Sequence, residues 1–347
     1  MTPLGDAHMT LQDQEMQSEG PFTEFNNKPH GQFATFPVVG NTVLLEYYAP
    51  YNVDEMPMLR ISHLVHGYKD ISPVHPHIKG SSGPCNINVN CKEGADWANE
   101  IRSVVMMLTR YGQGFCSGAM INNALQDGRQ LFLTAYHCVE RGDNSKDMLL
   151  FNHQHKTCDS RSPPMSPERQ TAQGLKALAR LAASDFALFE LEEEVPESYG
   201  VRLAGWSAEP QPPATPVGIH HPSADMKKIT FSALNATEAC WGGRCGRRVA
   251  DHWRIEQWHK GTTEPGSSGS PLFDATTGRI VGQLHGGSAS CYNRNGYDVY
   301  GKVWYSFDKG SDGERLKDFL DPEDSGVLVM DGVDLNDARE LRFQVQA

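Results

Sequence analysis

Three short segments carry side chains that could activate a hydroxyl group for attack on a carbonyl carbon. A strand-like segment delivers His137, a second apolar segment begins with Asp185, and a glycine-rich turn contains Ser268. A serine hydroxyl is a poor nucleophile until a base takes its proton. His137 could be that base, and Asp185 could fix its tautomer and stabilise the imidazolium. Each segment alone is weak evidence, since most histidines and Gly-Ser turns are structural, but their joint occurrence in this order is specific.

The glycines around Ser268 could meet a second requirement of the same chemistry. They allow a tight turn in which the backbone N–H groups of Gly266 and Ser268 point at one spot, where a developing oxyanion would sit. One such donor is worth roughly 3 kcal/mol in comparable sites. The nucleophile elbow of α/β-hydrolases needs glycine two residues after the serine and the order serine, acid, histidine. Here Ser270 occupies that position and the order differs, so that fold is disfavoured.

Composition limits the classes of protein to consider. The chain has 347 residues, enough for two domains or for one large β domain with an extension. Its 31 basic and 43 acidic residues give a net charge of −12, which disfavours nucleic-acid binding. No apolar run reaches the ~18 residues of a membrane span, so we expect no membrane contact. The 33 glycines and 21 prolines favour a β architecture.

The N-terminal part of the chain differs in pattern from the rest. Residues 1 to 30 are polar without periodicity, which predicts disorder. Residues 43–48 are rich in β-formers, and residues 59–66 alternate like a half-buried strand. A linker rich in proline and glycine follows at 73–83. We therefore place the main domain boundary just before Cys85.

Beyond Cys85, short strand-like runs alternate with clusters of glycine, proline and asparagine, which predicts an all-β barrel or sandwich. One stretch, 174–183, instead favours a helix by propensity. Near the end, Leu316, Phe319 and Leu320 form one apolar face of a short helix that stops before Pro322. The strand-like runs are 130–134, 185–191, 279–284 and 299–307.

The eight cysteines suggest four disulfides. Their number is even, none occurs in the first 84 residues, and no CxxC spacing of a zinc or redox site is present. This usage is typical of an oxidising compartment, with reduced, buried cysteines as the alternative. The first twenty residues lack the pattern of a signal peptide. Truncation of the start, unconventional export and reduced cysteines all remain open explanations.

At this point two motifs resemble a known family. Thr-Ala-Tyr-His-Cys at 134–138 and Gly-Ser-Ser-Gly-Ser-Pro at 266–271 are similar to the histidine and serine signatures of chymotrypsin-fold serine proteases. Among these, the bacterial lysyl endopeptidases are the most similar, and the resemblance extends from about residue 80 to 332. It includes further blocks at 85–89, 118–123, 218–222, 263–271 and 282–287.

The resemblance implies roles for particular residues. His137, Asp185 and Ser268 would form the catalytic triad, with Gly266 and Ser268 as oxyanion donors. In the similar family, a tryptophan lies over a histidine beside the triad, and Trp241 and His285 match those two positions. The alternative for this pair is ordinary aromatic packing. The implied disulfides are Cys85–Cys291, Cys91–Cys158 and Cys116–Cys138, which leaves Cys240 to pair with Cys245.

Specificity is expected to depend on Asp298. Trypsin-like enzymes carry their pocket aspartate six residues before the nucleophile, where this chain has the neutral Thr262. Lysyl endopeptidases use an aspartate downstream, and Asp298 matches it, with Gly286 among the substrate-binding residues. A carboxylate at the bottom of a narrow apolar pocket would attract a lysine ammonium. The alternative is that Asp298 is a surface residue at the start of a strand.

The start of the resemblance suggests processing. The position just before the nucleophile is Ser267, so activation by an aspartate that binds a freed N-terminus is not available. Lys79 and Gly80 precede a segment similar to the mature start of the family. A lysine-specific enzyme could cut between them and release residues 1–79, including the predicted strand at 59–66, as a propeptide.

Together these inferences predict a chymotrypsin-like double β-barrel with a short C-terminal helix and a propeptide-like N-terminal extension. The expected organisation is 1–79 as disordered start and propeptide-like region, 80–333 as protease domain and 334–347 as tail. We expect a secreted or extracytoplasmic monomer that cleaves protein or peptide substrates after lysine through an acyl-enzyme. Triad chemistry requires no cofactor and no metal. The alternatives are a preference for glutamate or another residue at the cleaved position, or a catalytically silent binding protein.

Overall fold

Two β-sheets, antiparallel except for the pairing of Trp206 with Ile280, form most of the described part of the molecule. The computed structural model describes residues 7–14, 16, 18–23, 26, 31–35, 38, 40–50, 59–64, 82–140, 142–162, 164–165, 170–243, 245–311 and 313–346, without the side chains of 341–346. The first sheet has seven strands and the second has ten. The all-β class predicted from the sequence is confirmed, and the two sheets correspond to the two barrels of a chymotrypsin-like fold.

The first sheet contains the strand that leads to His137. Its spatial order is β10-β11-β7-β6-β5-β8-β9, and each neighbouring pair is antiparallel. Strands β5, β6 and β7 are almost wholly buried, as their near-continuous apolar sequences require. The strands are β5 (Val104–Leu108), β6 (Gly114–Ile121), β7 (Leu131–Ala135), β8 (Met148–Leu150), β9 (Thr171–Gln173), β10 (Leu175–Leu181) and β11 (Phe186–Leu191).

The second sheet surrounds the turn that contains Ser268. Its main order is β16-β17-β20-β19-β18-β14-β15-β4, with β13 and β21 attached beside β19. The strands are β4 (Ile87–Asn88), β13 (Trp206–Ser207), β14 (Val217–His220), β15 (Lys228–Phe231), β16 (Thr237–Ala239), β17 (His252–Ile255), β18 (Pro271–Phe273), β19 (Ile280–Gly287), β20 (Asp298–Lys302) and β21 (Val329–Met330). Two further strands, β12 (Arg202–Leu203) and β22 (Val333–Asp334), form a separate two-stranded antiparallel sheet.

The two sheets share one apolar core. Leu131 and Phe186 from the first sheet belong to the same buried cluster as Ile219 and Phe273 from the second, and Trp206 is fully buried among them. Separate clusters fill the first sheet and the second. Because burying large apolar side chains is the main driving force of folding, this shared cluster fixes the two sheets against each other. The triad candidates lie on elements from both sides of it.

In the residues that the structure describes, the helices are few and short. They are α1 (Ala98–Ile101), α2 (Val303–Asp308), α3 (Lys317–Leu320) and α4 (Leu335–Gln346), with 3-10 turns at Lys92–Trp97, Tyr136–Cys138, Asn144–Lys146, Glu197–Tyr199 and Pro222–Ala224. The short helix predicted before Pro322 is α3. The tail expected from residue 334 is mostly helical, and its residues Leu335 and Ala338 are buried. In the described part of the chain, no helix is long and apolar enough to span a membrane.

Several predictions of local structure were wrong. The described residues of the first thirty are not disordered throughout, because β1 (His8–Gln12) and β2 (Ser18–Phe22) form a sheet with β3 (Leu44–Tyr48). Residues 59–64 form no strand, and Leu64 is 90% exposed. The stretch 174–183 contains strand β10, since pairing with β11 overrides its helical propensity. The run 299–307 is divided between β20 and helix α2.

Two adjacent histidines are fully buried at the end of β14, and they give a prediction about acid stability. Burial lowers the pKa of His220 to about 3 and that of His221 well below its usual range. In the unfolded chain these two histidines bind protons near pH 6.5, whereas in the folded chain they do not. The free energy of unfolding therefore falls as the pH is lowered below 6.5. We expect the free energy of unfolding to fall by about 3 kcal/mol between pH 6.5 and 5 from these two groups.

Denaturant unfolding of a Ser268→Ala variant, which limits self-digestion, measures this loss. A His220→Asn variant in the same background is the control, because asparagine keeps polar atoms near Ser267 without titrating in this range. Its loss over the same interval should be smaller by about 1.7 kcal/mol, the share of one histidine. Equal slopes in the two proteins would contradict the prediction.

Candidate active site

His137 and Asp185 form a direct hydrogen-bonded pair. His137 lies in the 3-10 turn that follows β7, and Asp185 lies just before β11, the antiparallel neighbour of β7. The Nδ1 atom of His137 is 2.8 Å from Oδ2 of Asp185, and the backbone N–H of His137 donates to Oδ1 at 2.9 Å. Asp185 is 2% exposed. In the neutral tautomer whose Nδ1–H donates to this carboxylate, Nε2 is the nitrogen that can accept a proton.

The backbone at Asp185 has an unusual conformation. Its φ angle is 55°, a left-handed value that is uncommon for residues other than glycine. Its carbonyl accepts a hydrogen bond from the N–H of Tyr136 at 2.8 Å, next to His137. The preceding carbonyl, of Ser184, accepts from the buried amide of Gln283 at 2.7 Å. These contacts from both sheets hold the carboxylate under the imidazole, and such local strain is typical of functional sites.

The turn that contains Ser268 packs against the strand that leads to His137. The carbonyl of Ser268 accepts a hydrogen bond from the N–H of Ser117 at 2.8 Å. At Gly269, φ is +81°, and an added Cβ would lie 2.2 Å from Oγ1 of Thr134. Only glycine permits this approach. The turn is therefore held against Thr134, which precedes His137 by three residues.

The oxyanion candidates have available donors. The N–H groups of Gly266 and Ser268 have no hydrogen-bond partner among the described residues. Gly266 has a φ of +93°, and an added Cβ would meet backbone atoms of residues 221 to 224 at 3.1 Å. Its carbonyl accepts from the hydroxyl of Ser117 at 3.0 Å. The turn is thus held through its carbonyl groups, while these two N–H groups are free donors among the described residues.

The residue before the candidate nucleophile is part of a buried polar contact. The hydroxyl of Ser267 is 2.8 Å from Nδ1 of His220 and accepts from the N–H of Glu264 at 3.2 Å. The carboxylate of Glu264 accepts from the N–H of Gly83 at 2.9 Å and from the side chain of Asn86 at 3.0 Å. The segment that begins the protease-like region is therefore tied to the turn. The proposed cut between residues 79 and 80 lies outside the described residues.

Trp241 and His285 lie beside His137. Their rings are stacked, with centroids 3.5 Å apart and planes 12° from parallel. His285 is also stacked near His137, with centroids 5.5 Å apart. Burial lowers the pKa of His285 to about 4, although the nearby Asp185 carboxylate acts in the opposite direction. At Gly286, an added Cβ would lie 3.3 Å from the Trp241 ring, so this glycine lets the ring lie close to the backbone.

Asp298 is a buried carboxylate at the start of β20, so the alternative of a surface residue is wrong. It is 1% exposed, and its Oδ2 accepts from Nε1 of Trp258 and from the hydroxyl of Thr263, each at 2.5 Å. Thr262, beside Thr263, is buried and neutral. Burial raises the pKa of Asp298, while the hydrogen bonds from Thr263, Trp258 and the backbone of Ala289 oppose that shift. Among the described residues, no cationic side chain lies within 4 Å of this carboxylate.

The four disulfides of the structure are the four pairs that the sequence led us to expect. Cys116 in β6 is bonded to Cys138, the residue after His137, and so clamps the 3-10 turn to the first sheet. The pair Cys240–Cys245 closes a loop of six residues that includes Trp241. Cys91 is bonded to Cys158. Cys85–Cys291 joins residues 206 positions apart.

Sequence reasoning did not identify Asp251 and His252, which lie directly behind His285. The ring of His252 is 3.0 Å from that of His285, measured between Nε2 and Nδ1. Nothing distinguishes this histidine in the sequence, because the chain has 14 histidines and His252 belongs to no motif. The one available signal was the adjacent pair Asp251 and His252 at the start of a short strand.

Comparison with known proteins supports the resemblance. A family model described as the C-terminal domain of lysyl endopeptidase matches residues 79–301. Lysyl endopeptidase from Pseudomonas aeruginosa strain PAO1 is 29% identical over 227 residues, which cover 61% of this chain and 47% of that protein. The chain therefore spans about half the length of this curated relative.

Two solved structures share lower similarity. The active form of the Rv3671c protease from M. tuberculosis is 16% identical, with a TM-score of 0.40, over 64% of this chain and 87% of that one. Human heparin binding protein is 13% identical, with a TM-score of 0.40, over 66% of this chain and 92% of that one. Neither similarity bears on what this chain does. Since residues 79–301 are more than half of the 347 residues, the chain belongs to the lysyl endopeptidase C-terminal domain family.

Proposed function

We propose that this protein is a serine endopeptidase that hydrolyses peptide bonds on the C-terminal side of lysine. The observation that carries the hydrolytic part is the hydrogen-bonded pair of His137 and Asp185 beside the turn of Ser268. In the proposed reaction, Nε2 of His137 takes the proton of the Ser268 hydroxyl as Oγ attacks the substrate carbonyl. The N–H groups of Gly266 and Ser268 bind the resulting oxyanion.

The remaining steps use the same groups. His137 gives its proton to the leaving amine, which completes the acyl-enzyme, and then activates the water that releases the acid product. Asp185 keeps the imidazole oriented and stabilises its charged form throughout. The chemistry needs no group that these residues do not supply.

Asp298 supports the preference for lysine. Its carboxylate is buried, bound only by neutral donors, and close to the nucleophile's turn through Thr263. A lysine ammonium placed beside this buried carboxylate would gain a charge partner in a site with little water. A glutamate at the same position of the substrate would be repelled, so this alternative specificity is disfavoured.

We also propose that residues 1–79 are a propeptide-like region, that residues 80–333 are the protease domain and that 334–347 form a tail, in a secreted or extracytoplasmic monomer. The four disulfides are typical of proteins outside the cytoplasm. Peptide or protein chains would be the partners.

Labelling with a fluorophosphonate probe tests the enzymatic reading against a silent binding protein. We expect covalent labelling at Ser268, because the probe reacts with a hydroxyl activated by its neighbouring base. A Ser268→Ala variant should neither be labelled nor cleave a lysyl peptide. Ser267→Ala is the matched control, since it removes the adjacent hydroxyl while leaving Ser268 in place, and it should still be labelled. A wild-type protein that resists labelling would support the silent binding protein.

The Ser268→Ala variant also tests self-processing. Produced free of other proteases, it should remain uncut between Lys79 and Gly80, whereas the wild-type chain should begin at Gly80. N-terminal sequencing of both proteins measures this. Cleavage of the variant at that bond would show that the chain does not process itself.

A further inference from the structure

Two buried residues continue the row of hydrogen-bonding groups behind the candidate triad. Nδ1 of His252 is 2.5 Å from a carboxylate oxygen of Asp251, and its Nε2 is 3.0 Å from Nδ1 of His285. His252 is fully buried and Asp251 is 5% exposed. On the other side, Nε2 of His285 is 3.7 Å from Oδ2 of Asp185. Two imidazole rings therefore lie between two buried carboxylates.

The number of protons on the two rings decides which carboxylate receives a donor. The rings of His252 and His285 share one hydrogen bond, which uses one proton. Two neutral rings hold one further proton, so only one end of the pair can present an N–H group. With three protons, and hence one positive charge, Nδ1 of His252 faces Asp251 with a proton, and Nε2 of His285 faces Asp185 with another.

The surroundings favour the charged pair. A buried carboxylate is costly without a cation or enough donors, and Asp185 and Asp251 both flank the rings. The titratable groups around His285 are Asp185, His137, His252 and Asp251. Lys302 lies on β20, and its ammonium donates to Glu238 at 2.8 Å. The charge of Asp251 also attracts this ammonium. The carboxylate of Asp251 lies 2.5 Å from His252, whereas that of Asp185 lies 3.7 Å from His285, so the positive charge belongs on His252.

We propose that Asp251 and His252 are positioning residues for the hydrolysis: Asp251 holds His252 as an imidazolium, which fixes His285 in the tautomer whose Nε2–H faces Asp185. The inference rests on the proposed function. Its consequence is a positive charge and an oriented N–H group directed toward Asp185 and His137. Both oppose protonation of His137 in the free enzyme and keep it a base at lower pH.

An Asp251→Asn variant tests this role through the pH profile. Without the carboxylate, His252 loses its extra proton, and His285 no longer needs to direct an N–H group at Asp185. We expect the acid limb of kcat/KM to move to higher pH by about one unit. At pH 6 the value of kcat/KM should fall about tenfold, while it should stay close to that of the wild type on the alkaline plateau.

Two further variants separate this role from a structural one. Glu256→Gln removes an exposed carboxylate at the end of the same strand and should leave the acid limb unchanged. In a His285→Phe background, which keeps an aromatic ring against Trp241, the Asp251→Asn change should no longer move the limb. A limb that still moves in that background would show that Asp251 acts by another route and would overturn the proposal.

NMR of ¹⁵N-labelled histidine in the Ser268→Ala protein gives a readout independent of activity. We expect an imidazolium signal at neutral pH that is lost on His252→Asn and on Asp251→Asn. A neutral His252 at neutral pH would overturn the proposal even if folding of a variant were impaired. Failure of the proposed function is recognised separately, by a wild-type protein that neither cleaves lysyl peptides nor reacts with the fluorophosphonate.

Discussion

Replacing Asp185 with asparagine is expected to lower kcat about 10⁴-fold, the order of loss seen when a triad aspartate becomes an amide. The amide can donate its own N–H to Nδ1 of His137 and so stabilise the wrong tautomer, in which Nε2 carries a proton and is no base. The 2.8 Å contact and the 2% exposure of Asp185 leave no room for water to substitute. KM should change little, because Asp185 does not reach the substrate.

Steady-state kinetics on a lysyl peptide measure this effect. Asp331→Asn is a suitable control, since it removes an exposed carboxylate that pairs with Arg279 away from the site. Far-ultraviolet circular dichroism of both variants shows whether the fold is retained. A folded Asp185→Asn protein with kcat within tenfold of the wild type would contradict the assigned role.

Replacing Asp298 with asparagine is expected to lower kcat/KM for lysyl substrates by about 10²–10³-fold. Truncating one partner of a buried, hydrogen-bonded charge pair costs roughly 2–5 kcal/mol. Asparagine has nearly the same shape, and its carbonyl oxygen can still accept from Trp258 and Thr263. The fall in kcat/KM should therefore result mainly from the lost negative charge. Substrates with a neutral, unbranched side chain in place of lysine should be cleaved as well as before or better.

Cleavage of a peptide library by wild type and variant gives both results in one measurement. The neutral substrates are the internal control, because a misfolded variant would lose them too. An unchanged preference for lysine would remove Asp298 from the pocket. A wild-type preference for glutamate would replace the proposed specificity with its alternative.

The sequence predicted the parts of the site that depend on residue types held in short motifs. His137 directly follows β7 and Asp185 directly precedes β11, the antiparallel neighbour of β7, so a strand pattern and two motifs were enough to expect their contact. The resemblance supplied what spacing could not, the disulfide pairs. The contact between His252 and His285 joins residues of different strands with no local pattern, so only the folded chain reveals it.

Local propensity failed where distant pairing determines the structure. The stretch around Ala177 and Ala179 is rich in helix formers, yet it lies at the edge of the first sheet, where pairing with β11 outweighs its preference. In the N-terminal sheet, buried Met9 and Leu11 alternate with more exposed residues, but the strand is short and its partner β3 begins more than thirty residues later. Such long-range pairing leaves little trace in a polar segment.

The bond between Cys85 and Cys291 bears on how an ageing preparation would behave. Any single peptide-bond break between these two positions, for example after the exposed Lys176, leaves both pieces covalently attached. A nicked molecule would gain the mass of one water and migrate as an intact chain until a reductant is added. Sample integrity is therefore judged correctly only on a reducing gel.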